Sequence, residues 1–253
     1  MNRHIAALHA RQSAGEKLDF LFFWGHKGQG VGPWILSQWW PARFQVASIE
    51  YATAEHWMMA QKARLFDDNE AFNAVLSADT PGKAKAIGRR VRGFDDETWN
   101  DHRFAIVRTG NVEKFKQNPD LLRWLLQTDE RILVEASPVD SVWGIGIAKD
   151  AAGIDEVHNW KGQNLLGFAL GEARDRLRRF PAPQLAKAAV ELPWVAHPEI
   201  PRGSIGWRMG YGEAHMDEFI GFWQAISPDE RIQYEMIYPE CGPWLGWYEP
   251  FGE

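Results

Sequence analysis

The sequence predicts an α+β fold: one helix-rich domain with short strands over residues 20–179, followed by a smaller aromatic-rich C-terminal extension over 180–253. Two observations carry that prediction. In the first region, segments with high helix propensity alternate with apolar runs too brief for helices. Beyond it, five of the fourteen prolines fall between Pro181 and Pro201. That density breaks helices and strands alike, so RRFPAPQLAKAAVELPWVAHPEIPRG (178–203) reads as a linker or wrapping segment.

The elements follow in chain order. FLFFW (20–24) and RILVEA (131–136) read as strands, and helices are expected over 54–66, 69–78, 81–90, 97–116, 119–127 and 164–179. The first of these helices, in YATAEHWMMAQKARLF (51–66), has Thr53 as N-cap and no Gly or Pro to interrupt it. At about 100° per residue, Trp57, Met58, Gln61 and Leu65 share one stripe, and Glu55, Met59, Lys62 and Phe66 share another. Apolar side chains therefore surround it almost completely, which predicts burial. In the extension, DEFIGFWQAI (217–226) and SPDERIQYEMIY (227–238) read as helices, the second with Ser227 as cap and Pro228 at its first position. PWLGWYEPF closes the chain in irregular structure. Trp194, Trp207, Trp223, Trp244 and Trp247 are too many to leave in water. The extension is accordingly expected to pack on the first domain, with WRMGYGE as a ligand-facing loop over its pocket.

Composition narrows the function. Hydrophobic residues make up 45% of the 253, and aromatic residues 13%, enough for a packed core. No stretch approaches the roughly 18 apolar residues of a membrane span, and the first residues lack the apolar centre of a signal peptide. A cytoplasmic protein without a membrane partner is expected. The single cysteine, Cys241, excludes an intramolecular disulfide and a thiolate zinc site. The eight histidines show neither HExxH nor close pairs, so neither a metal nor another cofactor is expected. A net charge of −6 argues against a broad nucleic-acid-binding face while allowing a local anion site. Fourteen tryptophans supply flat rings on which a nucleobase can stack.

Four segments place polar groups where a bland core would not. FFWGH (22–26) carries Trp24 and Gly25 ahead of the glycine-rich KGQGVGP. The buried helix carries Glu55 and Lys62, seven residues and about 10 Å apart along its axis, enough to face two ends of one small ligand. EASPVDSVWGIG (135–146) leaves a strand, turns at Pro138 and presents Asp140 and Trp143 on a loop. HNWKGQNLLGFALGEARDRL (158–177) crowds Asn159, Lys161, Gly162 and Asn164 at a helix start suited to a phosphate, while Gly167 and Gly171 allow another backbone to approach. Lys83, Lys85, Arg89, Arg90 and Arg92 add possible anion contacts, with a solvated helix face as the role expected of most of them.

FWG, YATAEHWMMAQKARLF, AKAIGRRV, TWNDHR, EKFKQNPDLLRWLLQT, LVEASPVDSVWGIG and NWKGQNLLGFALGEARDRL stand in the order expected of the NADAR family. The chain resembles that family over about residues 20–178, with no such match for 186–253. The resemblance implies an N-glycosidase cleaving a ribose–base bond. Its substrate would be a phosphorylated ribosylamino-pyrimidine of early riboflavin synthesis, or ADP-ribose attached to guanine. The family's pocket positions carry over to Glu55, Lys62, Trp99, Asp140 and Trp143.

Chemistry assigns each of these a role. The Glu55 carboxylate would stabilise positive charge on the sugar and activate water. Lys62, as a desolvated amine, would form a Schiff base or, alternatively, bind phosphate or ribose. Asp140 would hold ribose hydroxyls or water, and Trp99 and Trp143 would stack on the base or wall the pocket. The competing reading is a non-catalytic sensor of ADP-ribose or another nucleotide. A single-stranded nucleic acid bearing a modified base is a further expected partner, aided by Arg202 and Arg208.

Overall fold

The structure, a computed structural model, describes residues 3–185 and 189–249. Part of the proline-rich segment (186–188) and the end of PWLGWYEPF lie outside the described residues. The chain divides into two compact units, Met1–Arg179 and Phe180–Glu253.

In the first unit, α1 (Arg3–Ser13) precedes β1 (Phe20–Phe23), and the short β2 (Phe44–Val46) and β3 (Ile49–Tyr51) form a hairpin. Five helices follow: α2 (Ala54–Leu65), α3 (Asn69–Leu76), α4 (Pro81–Gly88), α5 (Asp96–Lys116) and α6 (Pro119–Leu126). Then come β4 (Ile132–Glu135) and α7 (Leu165–Arg179). The expected strands and helices of this unit appear within about two residues of their forecast ends, as helix termini allow. Neither α1 nor the hairpin was expected. FQV and IEY are each three residues long, and Ala47 and Ser48 turn between them at φ 47° and 66° without the glycine that signals such a turn.

α2 is the centre of this unit, packed against α3, α4 and α5. Thr53 caps it as expected, its Oγ1 accepting the His56 N–H at 3.3 Å. Burial is nearly complete: Ala54 through Gln61 are all buried, Glu55 and Gln61 among them. The Trp57 indole satisfies its one donor on the Ile106 carbonyl at 2.7 Å. α5 comes close enough there that a Cβ at Gly110 would meet Trp57 Cδ1 at 2.3 Å.

β1 and β4 pair in parallel, from Phe20 opposite Ile132 to Phe23 opposite Glu135. α7 packs on β4, and a Cβ at Gly167 would lie 2.0 Å from the Leu133 carbonyl. Gly167 thus supplies the close backbone approach expected of it, whereas Gly171 has nothing within 4 Å. The wholly buried Lys114 ammonium donates to the carbonyls of Ile35 (2.6 Å) and Ser37 (3.0 Å), tying α5 to the turn that leads into the site. Burial draws that amine down to about 7.

The second unit contains α8 (Pro193–Ala196), α9 (Gly210–Ala225) and α10 (Pro228–Ile237). It has a core of its own: Phe219, Trp223, Tyr234, Trp244, Trp247 and Tyr248 pack together with Leu192 and Ile226. Trp223 stacks on Tyr248 at 5.0 Å, and Trp194 on Trp244 at 4.8 Å. All five extension tryptophans thus take part in one aromatic cluster, Trp194 and Trp207 at its margin. Ser227 and Glu230 form the reciprocal capping box that starts α10.

One expectation here needs correcting. GYGE of WRMGYGE is not a loop but the first turn of α9, because Gly212 lets the helix press on the preceding turn. A Cβ there would meet the Gly206 carbonyl at 2.2 Å. No helix among the described residues is long and apolar enough to cross a membrane.

Candidate active site

A cleft of about 360 Å³ opens in the first unit. One wall is α2, with Glu55, Met58, Met59 and Lys62; facing it are Lys85, Gly88 and Arg89 at the end of α4. Phe94 and the first turns of α5 supply a third side with Asp96, Trp99, Asn100 and Arg103, and the loop after β4 closes it with Asp140, Val142 and Trp143. Five residues singled out in the sequence, Glu55, Lys62, Trp99, Asp140 and Trp143, therefore converge on one space.

Glu55 sits in the first turn of α2, where its backbone N–H donates to the Gln38 carbonyl at 3.0 Å. The residue is only 2% exposed, and its Oε1 is buried with no partner among the described residues. Burial raises its pKa to about 7. Lys85 and the Trp39 indole partly offset that rise, and the charge of Asp140 adds to it. Asp140 is held by its own loop, its Oδ1 accepting the N–H groups of Val142 (2.9 Å) and Trp143 (2.8 Å). The loop folds this tightly because Gly162 presses on it: a Cβ there would lie 2.3 Å from the Gly144 carbonyl.

At the other end of the α2 wall, Lys62 Nζ lies 3.9 Å from the Phe94 ring centre and 5.3 Å from that of Trp99. Desolvation lowers its pKa and Asp96 opposes the shift. Trp99 and Arg103, four apart on α5, share a helix face. Arg103 makes no hydrogen bond or ion pair among the described residues, and burial draws its guanidinium below the ordinary value. Of the five basic residues offered as possible anion contacts, Lys85 and Arg89 line the cleft, because Gly88 lets α4 close on α2. A Cβ at Gly88 would meet Met59 Sδ at 2.1 Å. Lys83 and Arg92 take the surface role, pairing with Asp79 and Asp68.

Trp24, Gly25, Asn159 and Asn164 do not line this cleft. Trp24 stands 56% exposed beyond the end of β1, next to Gly25 at φ 77°. Asn159 donates its Nδ2 to the Gly153 carbonyl at 2.9 Å. Asn164 is buried at φ 51° and serves β4: its Nδ2 donates to the Leu133 carbonyl, and its Oδ1 accepts the Glu135 N–H, both at 3.0 Å. The start of α7 therefore anchors a strand where a phosphate seat was expected.

Several polar groups escaped the sequence reading, among them Asp96, Asn100, Arg103 and Glu135. Arg103 ends the motif TWNDHR one helical turn beyond Trp99, a spacing that alone places it on the Trp99 face. Glu135 opens EASPVD, but as the last residue of a strand it carried no signal of its own. Burial raises its carboxyl to about 8, and Asp140 adds to the rise. No group of three His, Cys, Asp or Glu among the described residues is placed to hold a metal ion.

Residues 22–178 match the family described as the NADAR domain. The chain belongs to the NADAR family. The matched residues lie within the first unit and include every residue that lines the cleft.

Among similar proteins, "N-glycosidase R617" of Acanthamoeba polyphaga mimivirus is 43% identical over 62% of this chain and 95% of its own length. "Riboflavin biosynthesis protein VVA0006" of Vibrio vulnificus is 30% identical over 57% of this chain, which corresponds to 35% of that protein. The NMR structure of the E. coli protein YbiA superposes with a TM-score of 0.53 at 24% identity, covering 66% of this chain and 90% of YbiA, and so shares the NADAR fold.

Proposed function

We propose that this NADAR protein is an N-glycosidase, a hydrolase that breaks the bond between a ribose carbon and a base nitrogen in a phosphorylated small molecule. The observation that carries the reading is the Glu55 carboxyl: buried, with one oxygen unpartnered, in a cleft walled by tryptophan and supplied with cations. Departure of the base leaves positive charge on the sugar, and a preorganised carboxylate in a desolvated site stabilises that charge far better than water does. Glu55 faces the sugar and takes a proton from the attacking water. Asp140, fixed by two backbone N–H groups, orients that water or the ribose hydroxyls.

Trp99 and Trp143 offer faces to the base. Arg103 and Arg89 would receive the phosphate, and Arg103 is the stronger candidate because its half-buried guanidinium has no other partner. Lys62 would add to C1 of the ring-opened sugar and expel the base, which leaves with the proton from the amine; the water activated by Glu55 would then hydrolyse the Schiff base and free the lysine. The loss of basicity on burial favours this, whereas the two rings against its ammonium favour the charged form.

Two substrate classes fit: phosphorylated ribosylamino-pyrimidines, which agree with a relative named for riboflavin biosynthesis, and ADP-ribose joined to guanine. Incubation with both, side by side, with products identified by mass spectrometry, separates them. Release of free base from either establishes the activity. Tight binding of both without release would replace the enzyme with a nucleotide sensor.

A further inference from the structure

The Lys62 ammonium is half-buried on the cleft wall, yet it makes no hydrogen bond or ion pair among the described residues. What it meets instead is carbon. Its Nζ stands 3.9 Å from the centre of the Phe94 ring and 5.3 Å from that of Trp99. At the shorter distance the ammonium lies against the π face, where the negative side of the ring quadrupole attracts it. The Trp99 ring, further off, adds less.

Phe94 is built into that position. It lies in the short connection between α4 and α5, and both of its flanks are tied down. Arg92 donates its backbone N–H to Asp68 Oδ2 at 2.9 Å and its Nη2 to Asp68 Oδ1 at 2.8 Å, and Asp68 is the N-cap of α3. On the other side Asp95 caps α5, its Oδ1 accepting the Thr98 N–H at 2.8 Å. Between them Gly93 turns the chain at φ 68°, a conformation that any side chain there would strain. Phe66, one turn along α2 from Lys62, meets the Phe94 ring at 5.3 Å and 68°. The ring is thus fixed from three sides and still 40% exposed, so it covers the ammonium rather than filling the core.

We propose that Phe94 is a positioning residue of this site: its ring holds the Lys62 ammonium at the cleft wall and so sets how readily the amine yields its proton. The other charged groups on the walls are Asp96 beside the amine, Glu55 on the same helix, Lys85 and Arg89 on α4, Arg103 on α5 and Asp140 on the loop after β4. Desolvation favours the neutral amine, against which Asp96 and the ring favour the ammonium. A neutral amine is not drawn to the quadrupole. The contact that holds the ammonium therefore releases the amine once its proton has gone, with no hydrogen bond to break. The catalytic meaning rests on the N-glycosidase reading; the hold on the amine does not.

Competitive acetylation tests that hold in the full chain without any turnover. Trace acetic anhydride labels an amine only in its neutral form, so the yield on the Lys62 peptide, followed by mass spectrometry against pH, gives the midpoint of its titration. Phe94→Leu keeps the apolar bulk and removes the quadrupole. Its midpoint should fall by about half a unit to one unit, and Phe94→Tyr should restore the wild-type value. A ring that merely keeps water away predicts no change on going to Leu, and an unchanged or higher midpoint overturns the proposal.

The wild type supplies a check that needs no variant. A ring face 3.9 Å from Nζ moves the Lys62 ε-methylene protons upfield in the NMR spectrum. An ε-methylene signal at the position shared by surface lysines overturns the contact, even if no variant folds.

The third readout is the pH profile of base release. Glu55 sets a limb near pH 7, and Lys62 sets the rise that follows loss of its proton. In Phe94→Leu the limb of the amine should move to lower pH while the Glu55 limb stays. A displaced Glu55 limb with that of the amine unmoved overturns the role. If the wild type releases no base at all, the N-glycosidase reading fails while the acetylation midpoints still decide the role of Phe94.

Discussion

The side-chain amide of Asn164 spans the end of β4, its Oδ1 accepting the Glu135 N–H and its Nδ2 donating to the Leu133 carbonyl, each at 3.0 Å. One side chain from the start of α7 thereby closes the backbone hydrogen bonds of the strand that delivers Glu135 and the Asp140 loop. Asn164→Ala leaves a buried N–H and a buried carbonyl unpaired, at a cost of about 2–3 kcal/mol. A lower midpoint in urea unfolding, with an unchanged slope, is the expected result. A midpoint equal to that of the wild type would show that water replaces the amide.

Glu55→Gln keeps the shape and removes the charge. Base release should fall about 100-fold or more, with the melting curve still cooperative. Because burial raises Glu55 to about 7 and the ionised form does the work, wild-type kcat should decline as pH drops through about 7. Gln at this position with more than a tenth of wild-type turnover removes Glu55 from the chemistry.

Borohydride added during turnover should trap a sugar on Lys62, detected as a mass increment on the peptide that contains it. Lys62→Ala is expected to lose both the adduct and the activity. An alanine variant that turns over normally makes the Phe94 contact, at 3.9 Å, the whole role of this lysine.

Arg103→Met retains the aliphatic packing and removes the guanidinium. A charged hydrogen bond contributes about 1.5–3 kcal/mol, so KM for a phosphorylated substrate should rise about 10- to 100-fold. The dephosphorylated nucleoside should bind the variant as it binds the wild type. An equal loss for both substrates would place the phosphate elsewhere in the cleft.

The helical architecture is legible in the sequence because its signals are local. Thr53, the uninterrupted run after it and the all-round apolar pattern suffice for α2, and Ser227 with Pro228 suffices for the start of α10. The residues themselves single out Glu55, Lys62, Asp140 and Trp143, the resemblance to the NADAR family adds Trp99, and the cleft unites all five.

What lay beyond the sequence depends on neighbours far along the chain. Whether the glycine of a helix is a weak point or a point of contact depends on what approaches it, and only packing separates Gly88, pressed on Met59, from Gly171, which touches nothing. The polar crowd before α7 looked like a phosphate seat because sequence cannot tell which side of a helix start faces a strand; Asn164 faces β4. Glu135 was silent for the same reason. A carboxyl's chemistry depends on how much water and which charges surround it, and those come from α2, α4 and the Asp140 loop, elements that meet only when the chain is folded.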